Sequence, residues 1–149
     1  MTTPAMDLQH RQVGPWPMNT YALICPTTGQ SVLFDPGADP DVLAEMLQGS
    51  TPIAIILTHT HPDHVGALAT MRERLGVPLL AHGNTVAKGY AVDRVLGDGD
   101  TVQVGAHTLR AYYTPGHIDD MLCFAIQGDH RVIVGDTIFK GGPGKTWSP

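Results

Sequence analysis

Charged residues are scarce in this 149-residue sequence. They make up 15% of it, and only nine are Lys or Arg, against fourteen Asp or Glu. No basic block is present, so the sequence lacks the positive surface that binding to nucleic-acid phosphates requires. The hydrophobic fraction of 42% excludes a disordered chain. We therefore expect a single folded domain over residues 1–149 that does not bind nucleic acid.

Cysteines and long apolar runs are also lacking. Cys25 and Cys123 are the only cysteines, and neither belongs to a CxxC pair, which argues against a disulfide scaffold or a cysteine-rich zinc knuckle. The longest strongly apolar run, residues 53–57, is too short to cross a bilayer. The first twelve residues contain no apolar signal core. We expect a soluble cytoplasmic protein that makes no membrane contact.

The apolar pattern predicts strands joined by short turns, together with two amphipathic helices. Strands are predicted at residues 21–25, 31–34, 53–57, 78–81, 102–104, 108–113, 121–126 and 131–134, and helices at 40–48 and 64–75. Residues 53–57 are apolar throughout, which is typical of a strand buried on both faces. Asp39 is predicted to cap the first helix.

The segment from His59 to His64, with the sequence His-Thr-His-Pro-Asp-His, is the most informative motif. It follows the predicted buried strand and precedes a predicted helix, and α/β folds bind ligands at such carboxyl ends of strands. Imidazoles combined with a carboxylate suit zinc, iron or manganese. A capping role at the helix start would explain Asp63 alone, not His59, His61 and His64 as well. The motif therefore predicts a metal site.

Two further candidate ligands follow later strands. His117 ends a Thr-Pro-Gly-His segment after strand 108–113, and Asp136 follows strand 131–134. Each residue alone is more typical of a loop or a turn. Together with residues 59–64, both lie where a metal site at the strand ends needs them.

Other polar residues are interpreted as structural. His82 follows a predicted strand and is interpreted as a polar loop residue that lies near the site at most. Lys145 is interpreted as a solvated loop lysine, and the two cysteines, in apolar strands, as buried thiols.

These motifs resemble the metallo-β-lactamase superfamily, most closely its glyoxalase II-like hydrolases. The resemblance rests on His-Thr-His-Pro-Asp-His, on Thr-Pro-Gly-His at 114–117, on Gly-Asp-Thr at 135–137 and on Asp-Pro-Gly at 35–37. It covers about residues 18–146 and implies an α/β fold, the αββα sandwich, here short at its C-terminal end. No histidine after His130 supplies the last ligand of the family. We therefore expect the native chain to continue beyond Pro149, or a homodimer to cover the open sheet face.

The resemblance also implies a role for each candidate residue. The first metal ion is assigned to His59, His61 and His117, the second to Asp63 and His64, and the bridging position to Asp136. Asp63 and Asp136 are then the catalytic residues. The implied reaction is hydrolysis of a small thioester or ester substrate by a metal-bound hydroxide. The implied cofactor is a pair of divalent metal ions, zinc in the first place, with iron or manganese as alternatives.

Two alternatives stay open at this point. His59, His117 and Asp136 are also a two-histidine, one-carboxylate set for a single Fe(II), an arrangement that resembles the persulfide dioxygenases. The other alternative is a truncated fold that binds metal or assembles without turnover. Metal identity separates the first alternative from the hydrolase, and turnover separates the second.

Overall fold

The computed structural model describes residues 5–14, 18–60, 65–114, 121–129, 131–134 and 137–140. They form two β-sheets and three helices. The first sheet contains β1 (Asp7–Val13), β2 (Met18–Ile24), β3 (Gln30–Phe34), β4 (Thr51–Ile56), β5 (Leu79–His82) and β6 (Arg94–Leu96), in that order. The second contains β7 (Thr101–Val104), β8 (His107–Tyr113), β9 (Leu122–Ile126), β10 (Arg131–Val134) and β11 (Thr137–Lys140), also in sequence order. The helices are α1 (Pro40–Met46), α2 (Leu68–Leu75) and α3 (Gly83–Ala87).

The first sheet is parallel from β3 to β6, and the second sheet is antiparallel throughout. Parallel neighbours need a crossover connection, which α1 provides between β3 and β4 and α2 provides between β4 and β5. As a result, the carboxyl ends of β3, β4 and β5 lie at the same edge of the first sheet.

The apolar side chains form two cores, one on each face of the first sheet. Phe34 and Phe124 meet edge to face between the sheets, with ring centroids 5.3 Å apart. On the opposite face, α1 and α2 cover the sheet through side chains such as Leu43 and Met71. Strand β4 contributes alternate residues to both cores, which confirms that residues 53–57 are buried on both faces.

Most of the strands agree with the sequence-based predictions, but several short elements were missed. Strands β1, β6 and β11 and helix α3 were not predicted. The second predicted helix, 64–75, is observed as α2 from Leu68, and residues 61–64 lie outside the described part of the chain. No helix within the described ranges is long and apolar enough to span a bilayer.

The prediction that Asp39 lies at the N-cap of α1 is confirmed, but its side chain does not cap the helix. Asp39 occupies the position before the helix, but its φ of 54° is left-handed and its side chain makes no capping hydrogen bond. A capping side chain requires an extended backbone at this position. The carboxylate of Asp39 instead accepts a hydrogen bond of 3.0 Å from the backbone N–H of Gly14, at the end of β1.

Candidate metal centre

The structure describes one of the six predicted ligands, His59. The other five, His61, Asp63, His64, His117 and Asp136, lie outside the described residues. Within the ranges given above, no group of three or more His, Cys, Asp or Glu could hold a metal ion. The assembly of the six side chains therefore stays a prediction, whereas the strands that lead to them are among the described residues.

The strand ends that precede the predicted ligands meet at the start of β9. The backbone N–H of Leu122 donates a 2.7 Å hydrogen bond to the carbonyl of Thr58, just after β4. Tyr113, the last residue of β8, pairs with Leu122, and Val134, the last residue of β10, pairs with Cys123. The ends of β4, β8 and β10 thus lie at one end of the sandwich, where the two sheets are joined.

His59 is held by a chain of buried hydrogen bonds that begins at Asp35. The carboxylate of Asp35 accepts from the backbone N–H of Thr58 at 2.8 Å and from its hydroxyl at 2.5 Å. The same hydroxyl oxygen lies 2.9 Å from Nδ1 of His59. All three residues are buried, with His59 at 4% exposure.

This chain selects the tautomer of His59. The hydroxyl proton of Thr58 is directed to the carboxylate, so the hydroxyl oxygen must accept from Nδ1–H of His59. The proton then sits on Nδ1, and Nε2 is the ring nitrogen that can bind a metal ion. Metal-binding histidines generally need such a partner on the other nitrogen, because it fixes the ring orientation and raises the basicity of the ligand.

The role of Asp35 was not predicted from the sequence, in which this residue stands out only as part of the Asp-Pro-Gly motif at 35–37. The missing information was the parallel register of β3 on β4, in which Phe34 pairs with Ile56 and the N–H of Asp35 donates to the carbonyl of Ile56. Asp35 has a φ of 50°, a left-handed conformation that costs free energy in a residue other than glycine. The hydroxyl of Thr20 donates to the carbonyls of Phe34 and Asp35 and so holds this conformation.

A second group of polar side chains lies beside His59, on the neighbouring strand. His82 is the last residue of β5, so its interpretation as a loop residue is wrong. Since Ile56 pairs with Leu80 in parallel register, Thr58 and His82 lie level two residues further on. The imidazole of His82 stacks on the ring of Tyr113 from the second sheet, with centroids 4.1 Å apart and planes 6° from parallel.

Two residues of the α3 region complete this group. Asn84 donates its backbone N–H to Nδ1 of His82 at 3.0 Å and its side-chain amide to the hydroxyl of Tyr113 at 3.3 Å. Nζ of Lys88 lies 3.4 Å from the hydroxyl oxygen of Thr60, the residue after His59. The imidazole and the ammonium group therefore flank the end of β4.

Both thiols are buried, as predicted, but their environments differ. Burial raises the pKa of Cys25, but hydrogen bonds from the hydroxyl of Thr28 and from backbone N–H groups, including that of Ala106, outweigh it and lower the pKa to about 6. At Cys123 burial dominates and raises the pKa, which the hydrogen bond with Thr114 only partly opposes. Cys25 precedes the turn at the start of β3, the end opposite His59.

Comparison with known proteins gives consistent matches along the chain. The model of the metallo-beta-lactamase superfamily matches residues 13–149. The chain is 33% identical over 162 aligned positions to the protein named "Probable metallo-hydrolase YqgX" from Bacillus subtilis (strain 168), covering 95% of this chain and 75% of that one. It is 32% identical to the hydroxyacylglutathione hydrolase of Klebsiella pneumoniae, covering 85% of this chain and 50% of that enzyme. The chain thus spans about half the length of that hydrolase.

Solved structures match the fold as well. A crystal structure of TTHA1623 in a di-iron-bound form is 30% identical, with a TM-score of 0.70, and the match covers 90% of this chain and 74% of that one. The BLEG-1 B3 metallo-beta-lactamase is 26% identical, with a TM-score of 0.73 over 81% of this chain and 68% of that one.

Proposed function

The chain belongs to the metallo-beta-lactamase superfamily, and from this premise we propose that it is a metal-dependent hydrolase of a small thioester or ester. Its fold is the αββα sandwich of that superfamily. Relatives named hydroxyacylglutathione hydrolase, at 32% and 35% identity, support hydrolysis of a thioester.

The hydrogen-bond chain from Asp35 through Thr58 to His59 carries this proposal. A buried carboxylate and hydroxyl that fix a neutral imidazole by its Nδ1 are what a metal ligand needs. A histidine that only filled space in the core would need no carboxylate behind its partner. The ring also lies where the ends of β4, β8 and β10 meet, next to the segments that contain the other candidate ligands.

The donor set fits two divalent metal ions. In our proposal His59, His61 and His117 would hold the first ion, Asp63 and His64 would hold the second, and Asp136 would be a ligand shared by both. When bound, the ions supply a hydroxide at neutral pH and polarise the carbonyl group of the substrate. Asp63 also orients the reacting groups, and Asp35 and Thr58 act indirectly, by keeping Nε2 of His59 unprotonated. Zinc is our first assignment, and the relative solved in a di-iron-bound form supports iron as the second.

The test combines metal content with turnover. We would purify the protein without added metal or chelator, measure bound metals by elemental mass spectrometry, and assay hydrolysis of S-lactoylglutathione and simple acyl thioesters. About two zinc ions per chain and loss of turnover in Asp136→Ala would support the hydrolase. His10→Ala, which changes an exposed histidine on β1, is the matched control and should keep full activity.

Other outcomes would overturn the proposal. About one iron per chain, with oxygen consumption on a persulfide substrate, would favour a mononuclear dioxygenase centred on His59, His117 and Asp136. Full turnover in a metal-replete Asp136→Ala variant would refute the bridging role. A metal-replete protein that turns over no thioester or ester would be a metal-binding fold only.

A further inference from the structure

Strand β1 is a long edge strand of the first sheet. It pairs with β2 over all seven of its residues, and no described strand lies on its other side. Its side chains are mostly exposed. The outer side of an edge strand carries backbone N–H and carbonyl groups that can pair with a further strand, and proteins often shorten or cover such edges. An edge of seven residues is therefore a surface on which another strand can pair.

The hydrogen-bond pattern shows which backbone groups of β1 face this edge. Cys25, directly after β2, donates its N–H to the carbonyl of Gln30 at 2.8 Å, so the odd-numbered residues of β2 bond to β3 and the even-numbered ones to β1. In the register of β1 on β2, these even-numbered residues pair with the odd-numbered residues of β1. The even-numbered residues of β1, among them Leu8 and His10, therefore direct their backbone groups away from β2.

The side chains of β1 carry opposite charges at positions that are symmetric about Gln9. Asp7 and Arg11 lie two residues to either side of it, on the face of the strand that Val13 shares. Both are exposed, and neither forms an ion pair in the part of the chain that the structure describes. Asp7 accepts a hydrogen bond from the side chain of Gln9 at 3.2 Å, and Arg11 donates to the carbonyl of His10 at 2.7 Å. Asp7 and Arg11 of one strand are about 13 Å apart, so they cannot pair with each other.

We propose that β1 pairs with β1 of a second copy of this chain, antiparallel and with a two-fold axis at Gln9, so that the two first sheets become one continuous sheet. This axis places Asp7 of each copy opposite the partner's Arg11, with their Cβ atoms about 4.5–5.5 Å apart. Both ion pairs form together, because the charges of the strand are self-complementary about Gln9. Leu8 lies opposite the partner's His10, and the backbone groups of these residues exchange the hydrogen bonds between the strands.

The size of this contact determines how strongly the copies associate. A strand pair of about five residues on each side is small for a protein interface, so the dimer should be reversible and form at high protein concentration. The homodimer expected from the sequence is then formed through the edge of β1 and not over an open sheet face. The proposal is independent of the hydrolase function, since β1 contains none of the six candidate metal ligands.

The first experiment reverses the charges and measures association of the full chain by sedimentation equilibrium. Asp7→Arg and Arg11→Asp each place like charges opposite each other at both ion-pair positions, and each should weaken dimerisation at least about tenfold. An equimolar mixture of the two variants should recover the dimer, because one strand then carries two positive charges and the other two negative charges. Glu73→Arg and Arg110→Asp make equal charge changes at exposed positions on α2 and β8, and they should not alter dimerisation.

The second experiment tests the register by cross-linking. With the axis at Gln9, the two residues 9 form a non-hydrogen-bonded pair with Cα atoms about 4.5 Å apart, which is within the range of a disulfide. Gln9→Cys should therefore cross-link readily when the protein is oxidised with diamide. Gln12→Cys is the control, because its two copies would lie about 20 Å apart and should not cross-link. The native thiols, Cys25 and Cys123, are buried.

Several results would overturn the proposal. A wild type that stays monomeric at about 1 mM would refute the dimer outright. A dimer that both charge variants retain with wild-type affinity, or that cross-links through Gln12→Cys faster than through Gln9→Cys, would form through another surface or register. If each charge variant is folded by circular dichroism but their mixture recovers no dimer, the two ion pairs between the strands are refuted.

Discussion

Replacing Thr58 by valine tests whether the buried hydrogen-bond chain prepares His59 to bind metal. Valine has nearly the same shape as threonine, so the packing around residue 58 is kept and only the hydroxyl is lost. The carboxylate of Asp35 then loses the bond of 2.5 Å that it receives from this hydroxyl. Nδ1–H of His59 loses the acceptor 2.9 Å away.

The magnitude follows from these two losses. A hydrogen bond to a charged group contributes about 1.5–3 kcal/mol, and leaving a buried donor without its acceptor costs about 1–3 kcal/mol. Asp35 keeps its bond of 2.8 Å from the N–H of residue 58, which limits the loss. We expect the free energy of unfolding of the metal-free protein to fall by about 2–4 kcal/mol. Loss of the partner of a metal-bound histidine weakens metal affinity or activity by about 10–100-fold.

Urea unfolding gives the stability change, and competition with a chromophoric chelator gives the metal affinity. Thr58→Ser restores the hydroxyl and should recover most of both quantities. Thr101→Val makes the same chemical change at an exposed position on β7 and should alter neither. If Thr58→Val bound metal as tightly as the wild type, or if Thr58→Ser were no better than Thr58→Val, the argument from the tautomer of His59 would be wrong.

Three further predictions concern the rest of the fold. Gly105→Ala should lower the unfolding free energy, measured by urea titration, by about 2–4 kcal/mol. The added methyl group would lie 2.6 Å from Sγ of Cys25, and the backbone of Gly105 has a left-handed φ of 59°. Gly128→Ala is the control, because open space surrounds Gly128, and it should cost only about 1 kcal/mol. Ultraviolet absorbance should show a thiolate forming near pH 6 that Cys25→Ala lacks. Because the pKa of Cys25 in the folded protein lies below the ordinary value of 9.0, the wild type should gain stability over Cys25→Ala as the pH rises from about 6 to 9. It should lose this advantage on acidification, and a stability difference independent of pH would contradict the prediction. Phe124→Ala should cost about 3–5 kcal/mol by opening a cavity between the sheets, and a loss below 1 kcal/mol would show that this core is loosely packed.

The sequence was sufficient to predict the strands whose apolar pattern is strong, but not the weakly patterned elements. Residues 53–57 were identified correctly because they fill both cores. Strand β1 lies at the edge of its sheet and is largely exposed, so its residues show no clear alternation. Helix α3 has five residues and begins with glycine, which no helix-forming pattern indicates. These elements depend on the neighbours that they pack against.

For the candidate site, the sequence indicated which side chains could bind metal but not what holds them in place. The histidine motif is local, so it can be read from six consecutive residues. The contact between Asp35 and Thr58 spans 23 positions and exists only because β3 and β4 pair in parallel register. The stack of His82 on Tyr113 joins two different sheets. Neither contact can be inferred from spacing along the chain.

The hydrogen bond from Leu122 to Thr58 joins the end of β4, where the proposed metal site begins, to the second sheet. It connects the second sheet directly to the residue before His59, and the candidate ligands follow strands of both sheets. Metal ions bound by ligands from both sheets would hold the two sheets together, because their binding free energy stabilises only the state in which the sheets are in contact. The amide proton of Leu122 exchanges with solvent only when its hydrogen bond to the carbonyl of Thr58 breaks. Its exchange rate therefore measures how often the contact between the two sheets opens. Metal loading should slow this exchange, together with that of the amide protons in the core between the sheets.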